Sequence, residues 1–565
     1  MKIKSSIINY INTFLCVLIL NLPNIFYVIL CNETTTSTLL KRIVLLVLGL
    51  LFTSIPLVLF KPKRVLVWMG LLLPVTLGAI LNTIILRSPL NINIILTTIN
   101  SNLSEAMELI GSSKMFIILA LMSVLIYCLC VMKIDRNFIV HKRARFYFIL
   151  CFILFYTALM FRNYRFTSTL TNNQSERISK AIEFHLFRLN KIFPTNIPLI
   201  GIDIIDFVQL SSDYEDAVKT YQFDVDASKS KDVDLVFLLV GESSRYDHWR
   251  IHGYHRNTSP NLDTLSNLIS FHHCIAPANL TNESVPLMLT MATVENKWEQ
   301  FRSKTLVSSF KKAGFRTHWY SNQYYGATSI MNRYKNEAEE QFVTHTRIES
   351  SSEFDINLVE ILEEHKCHLS KGKHFVLLHT MGSHFRYNKR YPSSFNQFKP
   401  TIEENMDVLS IQNNRDEMIN SYDNTILYTD HIIYQIISIL KKLDRSSLLL
   451  YVPDHGEALG ENNSFFHGNT MPLKQELHVP MFMWYSSHFK QRNQSLLNEL
   501  ESKKREVFQT DRLPLLLWDI AKIHTRFNTI ESYRTAFTSS NEQFYVLGDG
   551  GKRFEIDQKF DIVEP

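Results

Sequence analysis

Five apolar runs crowd the first 162 residues, near 10–31, 39–60, 65–86, 115–132 and 145–161. Nothing else in the chain restricts its folding as much. Inside hydrocarbon every backbone polar group must be bonded within the chain, so such runs cross as helices of about 20 residues. The last two runs are close to the lower limit of that length. A cleaved signal peptide would give one short apolar run rather than five. Buried core helices are the other reading, and the charged joints between the runs speak against it.

Those joints also give an orientation. Lys2 and Lys4 precede the first run; Lys61, Lys63 and Arg64 lie between the second and third; Lys133, Arg136, Lys142, Arg143 and Arg145 lie between the fourth and fifth. The alternate joints carry only Lys41 and Arg42, or Arg87 and Lys114. The excess of basic residues marks the cytoplasmic side, so the N-terminus is expected in the cytoplasm. Five crossings then put everything after Arg162 outside, which in a bacterial cell is the periplasm. The outside loop around Leu96–Leu109 is longer than its neighbours and carries Glu105 and Glu108. It reads as a functional loop or as a short amphipathic helix on the membrane.

Residues 163–230 are polar and read as a bridging segment with one interfacial helix, Ile178 to Ile192. Beyond them strand and helix patterns alternate. Strands are expected at Asp234–Val240, Phe315–Tyr320, His374–His379, Ser447–Val452, Pro480–Tyr485 and Gln543–Leu547, with helices at Ser303–Ala313, Asp355–Lys366, Met418–Lys442 and Thr510–Ile523. That alternation predicts a mainly parallel sheet covered on both faces, an α/β/α sandwich over 231–565. The expected organisation is therefore a five-helix transmembrane bundle (1–162), a bridge (163–230) and a soluble domain (231–565).

The soluble part places metal-ligand residue types just past its strands. Leu448–Val452 runs through Pro453 into Asp454, His455, Gly456 and Glu457, and His467 follows. An Asp-His-Gly triplet alone is an ordinary turn. The first strand, however, ends in Gly241 and Glu242, and the third runs into His379 and His384. An open α/β sheet carries its chemistry at such carboxyl ends, and mixed oxygen and nitrogen donors suit zinc. Thr281 and Ser284 precede an apolar stretch, as helix caps do, or as a nucleophile would at a helix N-terminus. A net charge of +5 on 565 residues gives no reason to expect nucleic acid binding. No Cys-x-x-Cys pair lies in the soluble part, which disfavours a cysteine zinc site. Its two cysteines, Cys274 and Cys367, leave a single disulfide open.

At these residues the chain resembles the membrane phosphoethanolamine transferases of Gram-negative bacteria, which act on lipid A or the lipopolysaccharide core and belong to the alkaline phosphatase–sulfatase superfamily. The resemblance rests on Val-Gly-Glu242-Ser-Ser-Arg245 with Gly253-Tyr254 and Pro260-Asn-Leu; on His379-Thr-Met-Gly-Ser-His384; on Tyr422 to Asp430; and on Asp454-His455-Gly-Glu457-x-x-Gly-Glu461 with His467-Gly468. It implies a zinc held by Glu242, Thr281, Asp454 and His455, with Thr281 as the nucleophile. His384 and His467 would bind substrate or a second zinc, His379 would lie close by, and Glu105 would belong to the lipid substrate site. The implied reaction transfers phosphoethanolamine from phosphatidylethanolamine to a lipopolysaccharide or other envelope glycan through a phosphoethanolamine-threonine intermediate. It implies a monomer in the bacterial inner membrane.

Two departures bear on the acceptor. Pro277-Ala-Asn stands where the lipid A enzymes have Cys-Gly-Thr, and Thr97 stands where they have asparagine. A core sugar or other glycan is thereby favoured over lipid A. The competing readings are a membrane-anchored phosphodiesterase or sulfatase that uses water, and a metal-binding protein without turnover. The Cys/Ser-x-Pro-x-Arg motif of sulfatases does not follow the first strand.

Overall fold

The computed structural model describes every residue except 1, 31–35, 101–113, 168–173, 227–231, 327–328, 344–353, 405, 470, 526, 528–536, 539–542, 549–550, 558–561 and 564–565. The chain forms two compact units, Met1–Ile95 with Ser112–Asp206, and Leu96–Gly111 with Phe207–Pro565.

All five apolar runs of the first unit lie in helices. Leu39–Leu59, Pro62–Leu86 and Lys142–Thr167 are long and apolar enough to cross a membrane. Ser6–Leu20 and Leu22–Leu30 meet at a bend of 58° and make a fourth crossing if the pair is one span. The fourth run gives a shorter apolar helix, Ile118–Lys133. Length and composition thus support three or four crossings where the sequence suggested five. The bend has a local cause. Pro23 lacks the N–H that would continue the ladder, and Asn21 bonds across to Thr53 Oγ1 at 3.0 Å while accepting from Asn24 Nδ2 at 2.9 Å. Such amide contacts hold helices together where lipid offers no hydrophobic drive. The bridge contains two helices, Gln174–Leu189 and Asn196–Lys219, where one was expected. On the first, Ile178, Ile182 and Leu186 are exposed at four-residue spacing, one apolar stripe.

The second unit is built on a nine-stranded mixed sheet. Its strands are β1 (Leu235–Gly241), β2 (Leu268–Ile275), β3 (Arg316–Ser321), β4 (Glu340–Val343), β5 (His374–His379), β6 (Ser447–Pro453), β7 (His478–Tyr485), β8 (Val507–Gln509) and β9 (Phe537–Thr538). They stand in the order β9-β8-β2-β7-β6-β1-β5-β3-β4. From β6 to β4 every pairing is parallel, and β7 runs antiparallel to both of its neighbours. β1, β5 and β6 are buried along their whole length. Their unbroken apolar runs are what a strand covered on both faces requires.

The expected strands and helices are present with shifts of a few residues, but one strand belongs to another sheet. Phe544–Gly548 lies in a separate three-stranded antiparallel sheet with Lys552–Ile556 and Ile562–Val563. β2 was not foreseen. Cys274 is buried within β2 and Cys367 is exposed, both unbonded; a bond would need Cys367 to enter the core.

The register of the three central strands sets the site. Val240 lies opposite both His379 and Val452, and Gly241 lies opposite Pro453. Glu242, Thr380 and Asp454 therefore leave the sheet side by side.

Candidate active site

Glu242 is 1% exposed and is the first residue past β1. Ser243 follows with φ at +54°, a left-handed conformation that costs a residue with a Cβ about 1–2 kcal/mol. That turn aims Ser243 N at Asp454 Oδ1, 3.2 Å away, and lets Ser243 Oγ donate to Glu242 Oε1 at 2.7 Å. Tyr422 of the long helix Arg415–Leu443 holds the same loop, its hydroxyl donating to Ser243 O at 2.7 Å and accepting from Arg245 N at 2.9 Å. Farther along that helix, Asp423 receives His248, Tyr254 and Arg256. Asp430 receives Asn261 and Leu262. The motif from Tyr422 to Asp430 thus clamps the loops from Ser243 to Leu262.

Thr281 opens the helix Thr281–Leu289. Its hydroxyl donates to Glu242 Oε2 at 3.2 Å and lies 3.3 Å from His455 Nε2. The other ring nitrogen of His455 is 2.8 Å from the carbonyl of Gly456, which can only accept. Nδ1 therefore carries a proton, and Nε2 is the nitrogen that faces Thr281. Two carboxylate oxygens share that space: Asp454 Oδ2 at 3.4 Å and Glu242 Oε1 at 3.7 Å. Asp454 Oδ1 accepts from Ser243 N and His455 N, but its Oδ2 is buried with no hydrogen-bond partner among the described residues. Burial pushes this carboxyl up to about 6. One imidazole nitrogen and two carboxylate oxygens, one of them an orphan among the described residues, thus converge on a space where a cation would satisfy all three. Carboxylate oxygen plus imidazole nitrogen is also the donor set that suits zinc. The residues fit the metal that the motifs imply.

His467 completes the group, offering a ligand atom within 4.8 Å of those of Glu242 and His455. Its Nδ1 is 2.8 Å from Glu457 Oε2, and Tyr387 donates to Glu457 Oε1 at 2.6 Å. Burial drives the imidazole down and the carboxyl up, each away from its charged form. His384 stands beside His467 with ring centroids 6.0 Å apart, and burial lowers it to about 4.

His379 lies outside this group. Its Nδ1 meets Tyr325 OH at 2.8 Å, and its buried Nε2 has no partner among the described residues. Glu105 is outside the described residues. Ser284 is fully buried and donates to the Asp454 carbonyl at 2.6 Å, a structural bond rather than an exposed nucleophile.

Three supporting side chains escaped the sequence reading. Gln323 donates to Glu242 Oε2 at 2.7 Å. Asp355 receives Met381 N, Gly382 N and Asn322 Nδ2, and so fixes the loop between His379 and His384. A Cβ on Gly382, where φ is +47°, would come within 2.8 Å of Glu242 O, so only glycine fits. Glu476 receives Asn279 Nδ2, Asn469 N and Leu473 N, while its own carbonyl accepts from Gly456 N. It ties together the loops that carry Thr281, His455 and His467. The partners of Gln323 and Asp355 are remote in sequence and leave no local pattern, whereas Glu476 also caps its own helix through Leu473 N.

Comparison with known proteins bears on the family and the fold. The family model described as Sulfatase matches residues 234–518, half of the chain. Kdo(2)-lipid A phosphoethanolamine 7''-transferase of Escherichia coli (strain K12) is 28% identical over 343 residues, 58% of either chain. Phosphoethanolamine transferase EptA of Salmonella typhimurium is 34% identical over 269 residues, 46% of this chain and 48% of that one. The matches thus span about half the length of these relatives. Among solved structures, the integral membrane lipooligosaccharide phosphoethanolamine transferase EptA of Neisseria meningitidis superposes with a TM-score of 0.70 at 21% identity, over 93% of this chain and 97% of that one. The C-terminal periplasmic domain of EptC from Escherichia coli, in complex with Zn, gives 0.51 at 21% identity over 61% and 96%. At that identity the structural likeness speaks for the fold.

Proposed function

The chain belongs to the sulfatase family, and from that membership and its site geometry we propose that it is a zinc-dependent phosphoethanolamine transferase of the bacterial inner membrane. The observation that carries the proposal is the Thr281 hydroxyl, set at a helix N-terminus and within 3.3 Å of both Glu242 and His455. Zinc held by Glu242, Asp454 and His455 would supply the positive charge that lowers the pKa of an adjacent hydroxyl and neutralises a phosphate oxygen.

In this reading Thr281 Oγ attacks the phosphorus of phosphatidylethanolamine, and its proton has Glu242 Oε2 as acceptor. The new Oγ–P bond replaces the P–O bond to diacylglycerol, whose oxygen leaves with a proton. The dipole of Thr281–Leu289 and its first amides favour the negative phosphoryl group. His467 and His384 line the side where phosphoryl oxygens, or a second zinc, would sit. An acceptor hydroxyl or phosphate then attacks the same phosphorus, the Oγ–P bond breaks and Thr281 regains its proton. This is covalent catalysis in two displacements.

The relatives' names support a lipopolysaccharide acceptor. The replacements at Pro277-Ala-Asn and Thr97 favour a core sugar or another glycan over lipid A. The apolar helices fit a donor and an acceptor that are both confined to a membrane. With the bent pair as one span and the helix Lys114–Lys133 as a fifth crossing, the basic joints favour a cytoplasmic N-terminus and a periplasmic catalytic unit at 231–565, following a membrane unit at 1–162 and a bridge at 163–230; the chain is read as a monomer.

Transfer is tested by incubating the purified full chain with zinc, phosphatidylethanolamine and lipopolysaccharide, then weighing the glycolipid. Phosphoethanolamine on core or lipid A is expected from the wild type and not from Thr281→Ala. Free phosphoethanolamine with unmodified acceptor would instead mean a hydrolase.

A further inference from the structure

Gln323 stands in the loop that follows β3, whose last residue pairs with His379. Ser321 Oγ accepts from Gln323 N at 3.0 Å, a tight local turn that fixes where the side chain begins. The amide then uses its nitrogen twice, donating to Glu242 Oε2 at 2.7 Å and to the Thr380 carbonyl at 3.0 Å. Both partners only accept, so the orientation of the amide is set by its bonds. Thr380 is anchored in turn, its N donating to Val240 O at 3.0 Å. Glu242 Oε2 is also the oxygen that receives Thr281 at 3.2 Å. The two oxygens of Glu242 are therefore divided: Oε1 toward Ser243 and His455, Oε2 held between Gln323 and Thr281.

We propose that Gln323 is a positioning residue that fixes the rotation of Glu242, so that one carboxylate presents a metal-facing oxygen and an oxygen aligned with the Thr281 hydroxyl. The inference rests on reading Glu242 as ligand and Thr281 as nucleophile. Without Gln323 the carboxylate is free to turn about its last bond, and both relationships loosen together. A side chain that merely filled space would influence neither.

Gln323→Met keeps the length and removes both donors. In the full chain, zinc affinity from chelator competition and the rate of adduct formation at saturating phosphatidylethanolamine should each fall about 10- to 100-fold, the usual loss when a metal ligand's partner is removed. The half-saturating lipid concentration should stay at its wild-type value, and the melting temperature of the metal-free protein should fall only by what the loss of two hydrogen bonds costs. Gln323→Ala should repeat the pattern if the bulkier methionine perturbs folding. Unchanged zinc affinity and adduct rate would overturn the proposal, and so would a lower metal-free melting temperature with unchanged zinc affinity. If the wild type forms no adduct, the transferase reading fails, while the zinc measurement still decides the role of Gln323.

Discussion

Two hydroxyls lie in the first turn of the helix Thr281–Leu289, and their surroundings give them different work. Thr281 faces Glu242 and His455, whereas Ser284 is fully buried against the Asp454 carbonyl. Thr281→Ala should abolish adduct formation and leave the melting temperature close to that of the wild type. Ser284→Ala should retain activity within several-fold and cost about 1 kcal/mol in urea unfolding, the net worth of a buried hydrogen bond. A dead Ser284→Ala beside an active Thr281→Ala would reverse the assignment. The pair Arg245–Asp247 supplies a pH test. The Asp247 side chain is 55% exposed, so solvent screens the pair; what desolvation there is would raise its carboxyl, but the two bonds and the charge of Arg245 outweigh it and hold it at about 2, below its ordinary 3.8. A folded value below the unfolded one stabilises the protein above about 3.8, and that gain is lost as the pH falls toward about 2. Asp247→Asn should therefore flatten the fall of melting temperature across this window; an unchanged slope would show that the pair contributes nothing there. At this scale the residues legible in sequence were those leaving buried strands, Glu242, Asp454 and His455. Gln323 was not, since the carboxylate it steadies is 81 residues away along the chain.

The long helix Arg415–Leu443 carries its weight through single contacts. Tyr422 both donates to Ser243 O and accepts from Arg245 N, so Tyr422→Phe leaves two buried backbone groups without their partner. About 1–3 kcal/mol of stability should go with it, and zinc affinity should drop as Glu242 loses its anchored loop. Chemical unfolding and chelator competition measure the two effects; wild-type zinc affinity would mean that the loop holds its shape unaided. The strands β1, β5 and β6 were readable because burial on both faces leaves one nearly continuous apolar run, and this helix was readable from the helical spacing of its apolar residues. β2 was not, because His272 and His273 interrupt its alternation although the strand is well inside the sheet. The second bridging helix was hidden by Pro198 and Gly201, both poor helix formers that Asn196–Lys219 nonetheless includes. In the membrane unit, the run broken at Pro23 reads as one span in sequence and as two helices in space.

For the whole molecule, β1 and β6 bring Glu242, Asp454 and His455 to one place, and the helix that follows β2 brings the Thr281 hydroxyl beside them. Removing metal with a chelator should stop adduct formation, and added zinc should restore it; activity that survives thorough chelation would remove zinc from the mechanism. Reporter fusions at the N-terminus and at the C-terminus should report cytoplasm and periplasm respectively, and the opposite result would overturn the orientation read from the basic joints. The central claim is that Thr281 carries phosphoethanolamine between donor and acceptor. It is tested most directly by the intact mass of the zinc-loaded protein after incubation with phosphatidylethanolamine alone. The account predicts a gain of one phosphoethanolamine per chain, mapped to Thr281 and absent from Thr281→Ala. An unchanged mass with free phosphoethanolamine in solution, or the same gain in Thr281→Ala, would contradict it.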